Sequence, residues 1–144
     1  MSTLRAMCRI SHSGRLQWKV LLTAGQEKYD SPAFYTGIPG YKMHVTLELK
    51  GHRERDQDFA SVFVILEKGD FDEDLFFPLN ASCRVRVLSE RVESEGTEIQ
   101  CSNIPRSDVT TSQRGRLRFM PTARLLSDDF CTNNCLYLDI KVKT

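Results

Sequence analysis

Apolar and polar positions alternate with a period of two along much of the chain. Leu16, Trp18 and Val20 alternate with Arg15, Gln17 and Lys19. Val45, Leu47 and Leu49 alternate with Thr46, Glu48 and Lys50. Cys83, Val85 and Val87 enclose Arg84 and Arg86, and Leu136, Leu138, Ile140 and Val142 alternate with Tyr137, Asp139 and Lys141. Each run predicts a strand with one buried and one wet face, the habit of antiparallel sheets. Residues 60–66 depart from this rhythm with a nearly continuous apolar run. That suits a central strand covered on both faces, or one that reaches into an interface.

Turn signals separate the runs. Gly37-Ile38-Pro39-Gly40 divides Phe34-Tyr35 from Tyr41-Lys42-Met43, Gly51 and the polar residues 52–58 divide two strands, and Gly69-Asp70 closes another. Many short strands with frequent turns indicate a β-sandwich or barrel. Helix is scarce. Residues 3–10 form one candidate, with Leu4, Met7 and Cys8 on one side, and residues 121–127 form another, with Pro121 near its start. Residues 89–114 read as a long polar loop in which only Ile99 and Cys101 hint at a strand, and loops of that length are often functional.

The chain has 144 residues, a size that fits one domain, and its 40% hydrophobic and 27% charged residues exclude wholesale disorder. Its net charge is only +1, so the chain as a whole does not advertise nucleic acid or an anionic membrane as partner. No run approaches the roughly 20 apolar residues of a membrane span, and the first nine residues lack the apolar core of a secretory signal. Cys8, Cys83, Cys101, Cys131 and Cys135 are odd in number and irregular in spacing, which favours free thiols in a reducing, cytoplasmic compartment. Asn80-Ala81-Ser82 fits a glycosylation sequon and points the other way, to a secreted lectin-like sandwich.

Catalytic motifs do not emerge. There is no P-loop, no G-x-S-x-G and no H-E-x-x-H, and His12, His44 and His52 fall on separate segments. Cys131 and Cys135 offer two thiolates where structural zinc needs four ligands. The acidic stretch Asp70, Asp72, Glu73 and Asp74 lacks the glycine and closing glutamate of a calcium loop. The Gly37–Gly40 pair is flanked by strands, whereas an RNA-binding KH loop needs helices. No catalytic residue, metal or cofactor is therefore expected. Arg114, Arg116 and Arg118 are expected on one face of a strand with Leu117 and Phe119 on the other, either as a solvated edge or as a platform for carboxylate or phosphate.

Several segments together carry a resemblance. Leu16-Gln17-Trp18-Lys19-Val20, Ser31-Pro32-Ala33-Phe34-Tyr35-Thr36 and Gly40-Tyr41-Lys42-Met43 strongly resemble the C-terminal domain of the tumour-necrosis-factor-receptor-associated factors, the TRAF-C or MATH domain. Residues 61–66 resemble its apolar core strand, Phe77-Pro78-Leu79 its Trp-Pro-Phe segment, and Phe119-Met120-Pro121 with residues 135–142 its closing elements. The resemblance runs from about Ser11 to the C-terminus. It divides the chain into residues 1–12, a remnant of a preceding helix or coiled coil, and residues 13–144, the domain. It implies an all-β, eight-stranded antiparallel sandwich and a non-enzymatic adaptor. Such a domain trimerises, weakly without a full coiled coil. It binds extended tails of receptors or signalling proteins along a sheet edge, without nucleic acid or membrane insertion. The alternative within the same fold is a substrate-recognition module of a ubiquitin-system or protease-associated protein, and a further one is a domain that only assembles other chains.

The family's peptide site carries over only in part, and its three acid-gripping positions all depart from the family's pattern. Its Arg, Tyr and Asp that grip an acidic ligand residue appear here as Thr46, Glu48 and His52. Its aromatic pocket residue corresponds to Phe63, and its Ser-Gly to Arg114-Gly115. Its serine run falls within residues 98–112, where Ser102, Thr110, Thr111 and Ser112 are candidates. An acidic ligand side chain beside Glu48 is repelled. The usual P-x-Q-x-E tail is thus not the expected best ligand. The expected site is instead an extended-peptide groove with Phe63 as floor and Arg114 or Arg116 reading a negative charge from another direction.

Overall fold

The alternating runs become strands whose apolar sides face one another across two sheets. The computed structural model describes residues 11–94 and 96–144. Residues 1–10 lie outside these, and with them the helix expected over 3–10 and most of the expected remnant 1–12. Among the described residues there are nine strands: β1 Arg15–Leu21, β2 Lys28–Asp30, β3 Phe34–Tyr35, β4 Lys42–Glu54, β5 Gln57–Glu67, β6 Leu79–Val87, β7 Thr97–Ile104, β8 Gln113–Pro121 and β9 Cys135–Lys143. One sheet has the order β1-β9-β6-β7, and the other β2-β4-β5-β8, with β3 also on β4. Every pairing is antiparallel. Both β2 and β3 pair with β4 on the side away from β5, so they act as one interrupted strand. Nine segments thus fill eight strand positions, and the fold is the antiparallel β-sandwich expected.

Between the sheets lie Trp18, Val20, Val85, Ile99, Leu138 and Ile140 from one side and Met43, Val45, Leu47, Val62, Val64 and Leu66 from the other, all buried. At about 25 cal/mol per Å² of buried apolar surface, this shared layer dominates the stability of the domain.

Three elements differ from the sequence reading. First, β4 does not stop at Gly51. A bulge between Glu48 and His52 carries it on to Glu54, and the chain turns at Arg55 and Asp56, both with positive φ (52° and 61°). Two such residues make the hairpin turn that matches strand twist. His52 is therefore a strand residue paired with Phe59, not a loop residue. Second, the polar stretch 89–114 contains a full strand, β7, whose inward side chains include Ile99, Cys101 and Ile104. Third, the continuous run 60–66 is covered on one face only. Val62, Val64 and Leu66 are buried, whereas Phe63 and Ile65 point outward and are only partly buried. The helix expected over 121–127 is a single turn, α1 Thr122–Leu125, preceded by Pro121. The Thr122 hydroxyl ties it to the sheet by donating to the Leu49 carbonyl at 2.5 Å. No helix among the described residues is long and apolar enough to cross a membrane.

Candidate functional site

The outward side of the five-stranded sheet gathers most of the expected site. Register places Asp30, Thr46, Phe63 and Gly115 in one row across β2, β4, β5 and β8. Lys28, Glu48 and Ser61 form the next row. His52, Phe59 and Pro121 form a further row, beyond the bulges. Thr46, Glu48, His52, Phe63 and Gly115 thus share one surface.

Each side chain there has a physical reason for its position. Gly115 is required by close approach: a Cβ would sit 2.4 Å from Phe63 Cδ1 and 2.4 Å from the Val62 carbonyl. The Phe63 ring lies over β8 because that residue has no side chain. Thr46 is buried although it points outward, since its hydroxyl donates to Asp30 Oδ1 at 2.6 Å. His44 stands between two carboxylates, its Nδ1 2.7 Å from Glu67 Oε2 and its Nε2 3.8 Å from Asp30 Oδ1. Ser61 is fully buried and donates to the Leu117 carbonyl at 2.8 Å. That bond fixes a bulge in β8, where four residues of β8 span the two-residue step from Ala60 to Val62. Leu117 protrudes from the bulge and is half-exposed.

An open depression of about 610 Å³ follows this edge, lined by His52, Phe59 and residues 115–121. Arg118 forms one wall, its guanidinium 5.1 Å from the Phe59 ring centre and 3.4 Å from Glu54 Oε2. Beyond β8 no further strand is paired among the described residues. An open sheet edge presents unpaired N–H and C=O groups that another strand can use.

The arginines correct the alternation expected of residues 114–119. Arg114 and Arg116 are paired with the inward residues Val64 and Val62, so they leave β8 on the inner side, at the flank of the sandwich. There they bond to β7, Arg114 Nη2 donating to the Ser102 carbonyl at 3.4 Å and Arg116 Nη2 to the Glu98 carbonyl at 3.1 Å. The bulge then sends Arg118 elsewhere. The three arginines do not form a single row, and Phe63 and Arg114 lie on opposite sides of β8. Of the Ser and Thr candidates, Ser102 lies on β7, Thr111 caps the Asp108 carbonyl, the Thr110 N–H donates to the Leu66 carbonyl, and Ser112 is buried. They do not converge on Phe63.

Sequence reasoning missed Asp30, Glu67 and Phe59. The short alternation Lys28-Tyr29-Asp30, with Tyr29 buried, was the available signal for the first.

The described thiols are free: Cys83, Cys101, Cys131 and Cys135. Burial pushes the Cys83 thiol up to about 12, and Cys101 to about 11 against the pull of the nearby Arg114 guanidinium. Burial also raises Cys131, with Cys135 adding to the effect. Cys83 and Cys101, held so far from ionisation, do not serve as nucleophiles near neutral pH. Among the described residues no cluster of three or more His, Cys, Asp or Glu has the arrangement to hold a metal. At the sequon, the Asn80 side-chain oxygen accepts from the Asn103 N–H at 3.0 Å.

Comparison with known proteins bears on the same architecture. The family model of the MATH domain matches residues 8–142. TNF receptor-associated factor 6-B of Xenopus laevis is 34% identical over 98 residues, 61% of this chain and 17% of that protein. TNF receptor-associated factor 6 of Danio rerio is 43% identical over 61 residues, 42% of this chain and 11% of that protein. The aligned part is thus less than a fifth of these relatives' length. The solved structure of Notothenia coriiceps TRAF5 superimposes with a TM-score of 0.82 over 99% of this chain and 79% of that one, at 22% identity, a likeness of fold. The chain belongs to the MATH domain family.

Proposed function

We propose that this domain is a non-catalytic adaptor module that binds an extended peptide along the outward edge of β8. A MATH domain is a protein-interaction fold, which supports the class of function. The observation that carries the finer reading is the open edge of β8 beside a partly buried Phe63 seated on Gly115. A strand added to that edge gains main-chain bonds, and its alternate side chains fall on the two sides of β8. Those on the outer side meet Phe63, Leu117 and Glu48. Those on the flank meet Arg114 and Arg116. An acidic ligand side chain is therefore favoured on the flank and disfavoured beside Glu48. Peptides of this kind bind weakly, because ordering a flexible tail offsets much of the contact energy. Assembly into a trimer then supplies avidity. The partners in this reading are tails of receptors or signalling proteins in the cytoplasm.

Selection of random and proteome-derived peptides on the immobilised domain tests the proposal. The expected consensus lacks P-x-Q-x-E, and its binding falls on Arg114→Ala with Arg116→Ala. Enrichment of P-x-Q-x-E would overturn the re-specified groove. Absence of any enriched peptide would overturn peptide capture and leave assembly as the domain's role.

A further inference from the structure

The opposite outer face, on the four-stranded sheet, carries a second pattern that peptide capture at β8 does not use. Its outward positions include Arg15, Lys19, Arg84, Arg86, Lys141 and Lys143, against the carboxylates of Asp139 and Glu98. Four surplus positive charges thus sit on one face of a chain whose net charge is +1. Arg86 faces Asp139 in one row, but the neighbouring row sets like charges side by side. Arg15 is directly opposite Lys141, and Lys141 directly opposite Arg84, whose other neighbour in the row is Glu98. Like charges in register across strands destabilise a sheet, and an anion covering Arg15, Lys141 and Arg84 relieves that repulsion.

The chemistry of the free cations indicates which anion. Arg15 and Arg86, whose planar forks suit a discrete phosphate or carboxylate, both engage Asp139, at 3.0 and 3.5 Å. The remaining cations, Lys19, Arg84, Lys141 and Lys143, pair with no carboxylate among the described residues. Three of these four are flexible point charges spread across a broad surface whose open indentations beside the cations measure about 240, 360 and 500 Å³. One end of the same face also exposes apolar groups: Leu21 is 63% exposed at the end of β1, and Tyr137, opposite Lys19, is 41% exposed. A wet basic sheet face with an aliphatic and an aromatic side chain at its rim matches the interface of a bilayer, where lysines meet anionic headgroups and amphipathic rings sit at headgroup level.

We propose that the outer face of the β1-β9-β6-β7 sheet docks peripherally on an anionic lipid surface, with Lys19, Arg84, Lys141 and Lys143 against the headgroups and Leu21 and Tyr137 at the rim. The docking is electrostatic and reversible, and it leaves β8 on the far side of the sandwich facing away from the lipid. The whole-chain charge misses it because the charge is averaged over two unlike faces.

Co-sedimentation of the full 144-residue chain with vesicles tests this. The vesicles are pure phosphatidylcholine, or the same lipid with 30 mol% phosphatidylserine (our choice of composition, near the anionic surfaces that attract basic segments). The protein is expected to pellet with the phosphatidylserine vesicles only, and to be released by about 0.5 M salt, where charges are screened within a few ångströms. Lys141→Gln with Lys143→Gln is expected to weaken binding by roughly tenfold or more, since each basic residue at the surface matters severalfold. The same loss of two charges on the other sheet, Lys28→Gln with Lys50→Gln, is expected to leave it within about twofold. Circular dichroism confirms that both variants fold. Failure of the unsubstituted chain to bind, or equal binding by the Lys141 and Lys143 variant, overturns the proposal. So does binding of a soluble phosphoserine peptide to this face without vesicle binding, which would make the partner a protein.

Discussion

The two outer faces of the sandwich stand on the same inward alternation and differ in everything that alternation leaves free. On the five-stranded sheet the outward positions are half-apolar and internally tied: Phe63 on Gly115, Thr46 to Asp30, Ser61 to the Leu117 carbonyl. On the four-stranded sheet they are exposed and charged, with Arg15, Lys141 and Arg84 stacked in one row. The first face is shaped for a chain with side chains of its own, and the second for a broad anionic surface. The lesson is that the core-facing residues fix the fold, whereas function resides in the residues that the core does not need.

Perturbing the layer beneath both faces has the largest effect. Cys83 is neutral in the folded state up to about pH 12, while its unfolded counterpart ionises near 9.0. Because the folded pKa lies above the unfolded one, the stability it contributes is fully present below pH 9 and is lost as pH rises towards 12. The loss approaches about 4 kcal/mol for a shift of this size, an order-of-magnitude figure. Urea midpoints measured between pH 8 and 11 should fall steadily, and Cys83→Ala should flatten the slope. A slope unchanged in that variant would locate the alkaline sensitivity elsewhere.

The next effect separates the faces. Gly115→Ala forces a Cβ against Phe63 and the Val62 carbonyl and should cost about 1–3 kcal/mol in chemical denaturation, together with peptide binding. An unchanged midpoint would show that β8 is free to move away from β5. Phe63→Ala removes the floor of the groove. Peptide affinity measured by fluorescence anisotropy should drop by about tenfold or more, as for a central interface aromatic, while vesicle binding persists. The smallest effect is on the charged face. Lys141→Gln relieves repulsion from Arg15 and Arg84 and should raise stability by a few tenths of a kcal/mol at low salt, fading as salt is added. Destabilisation instead would mean that Lys141 has favourable contacts in the free domain.

The strands with clean alternation were legible in the sequence because one face of each is buried and the other wet. β7 was not, since Thr97–Ile104 is an edge strand whose outward Glu98, Gln100 and Ser102 resemble loop residues. The continuation of β4 past Gly51 was hidden by a bulge, which breaks the period on which such reading depends. The same cause misplaced the arginines: with the bulge opposite Ser61, Arg118 no longer follows Arg114 and Arg116. Resemblance to the family singled out Phe63 and Gly115 as candidate site residues. Their direct contact, and the burial of Thr46 by Asp30 from the short strand β2, are tertiary and leave no local signal.

The most direct test of the groove on β8 is amide hydrogen exchange of the chain with and without a library-selected peptide. The account predicts new protection in residues 113–119, whose outer-edge N–H groups gain a partner strand, with little change in β1 and β9. Protection concentrated on β1 and β9, with residues 113–119 unchanged, would contradict it.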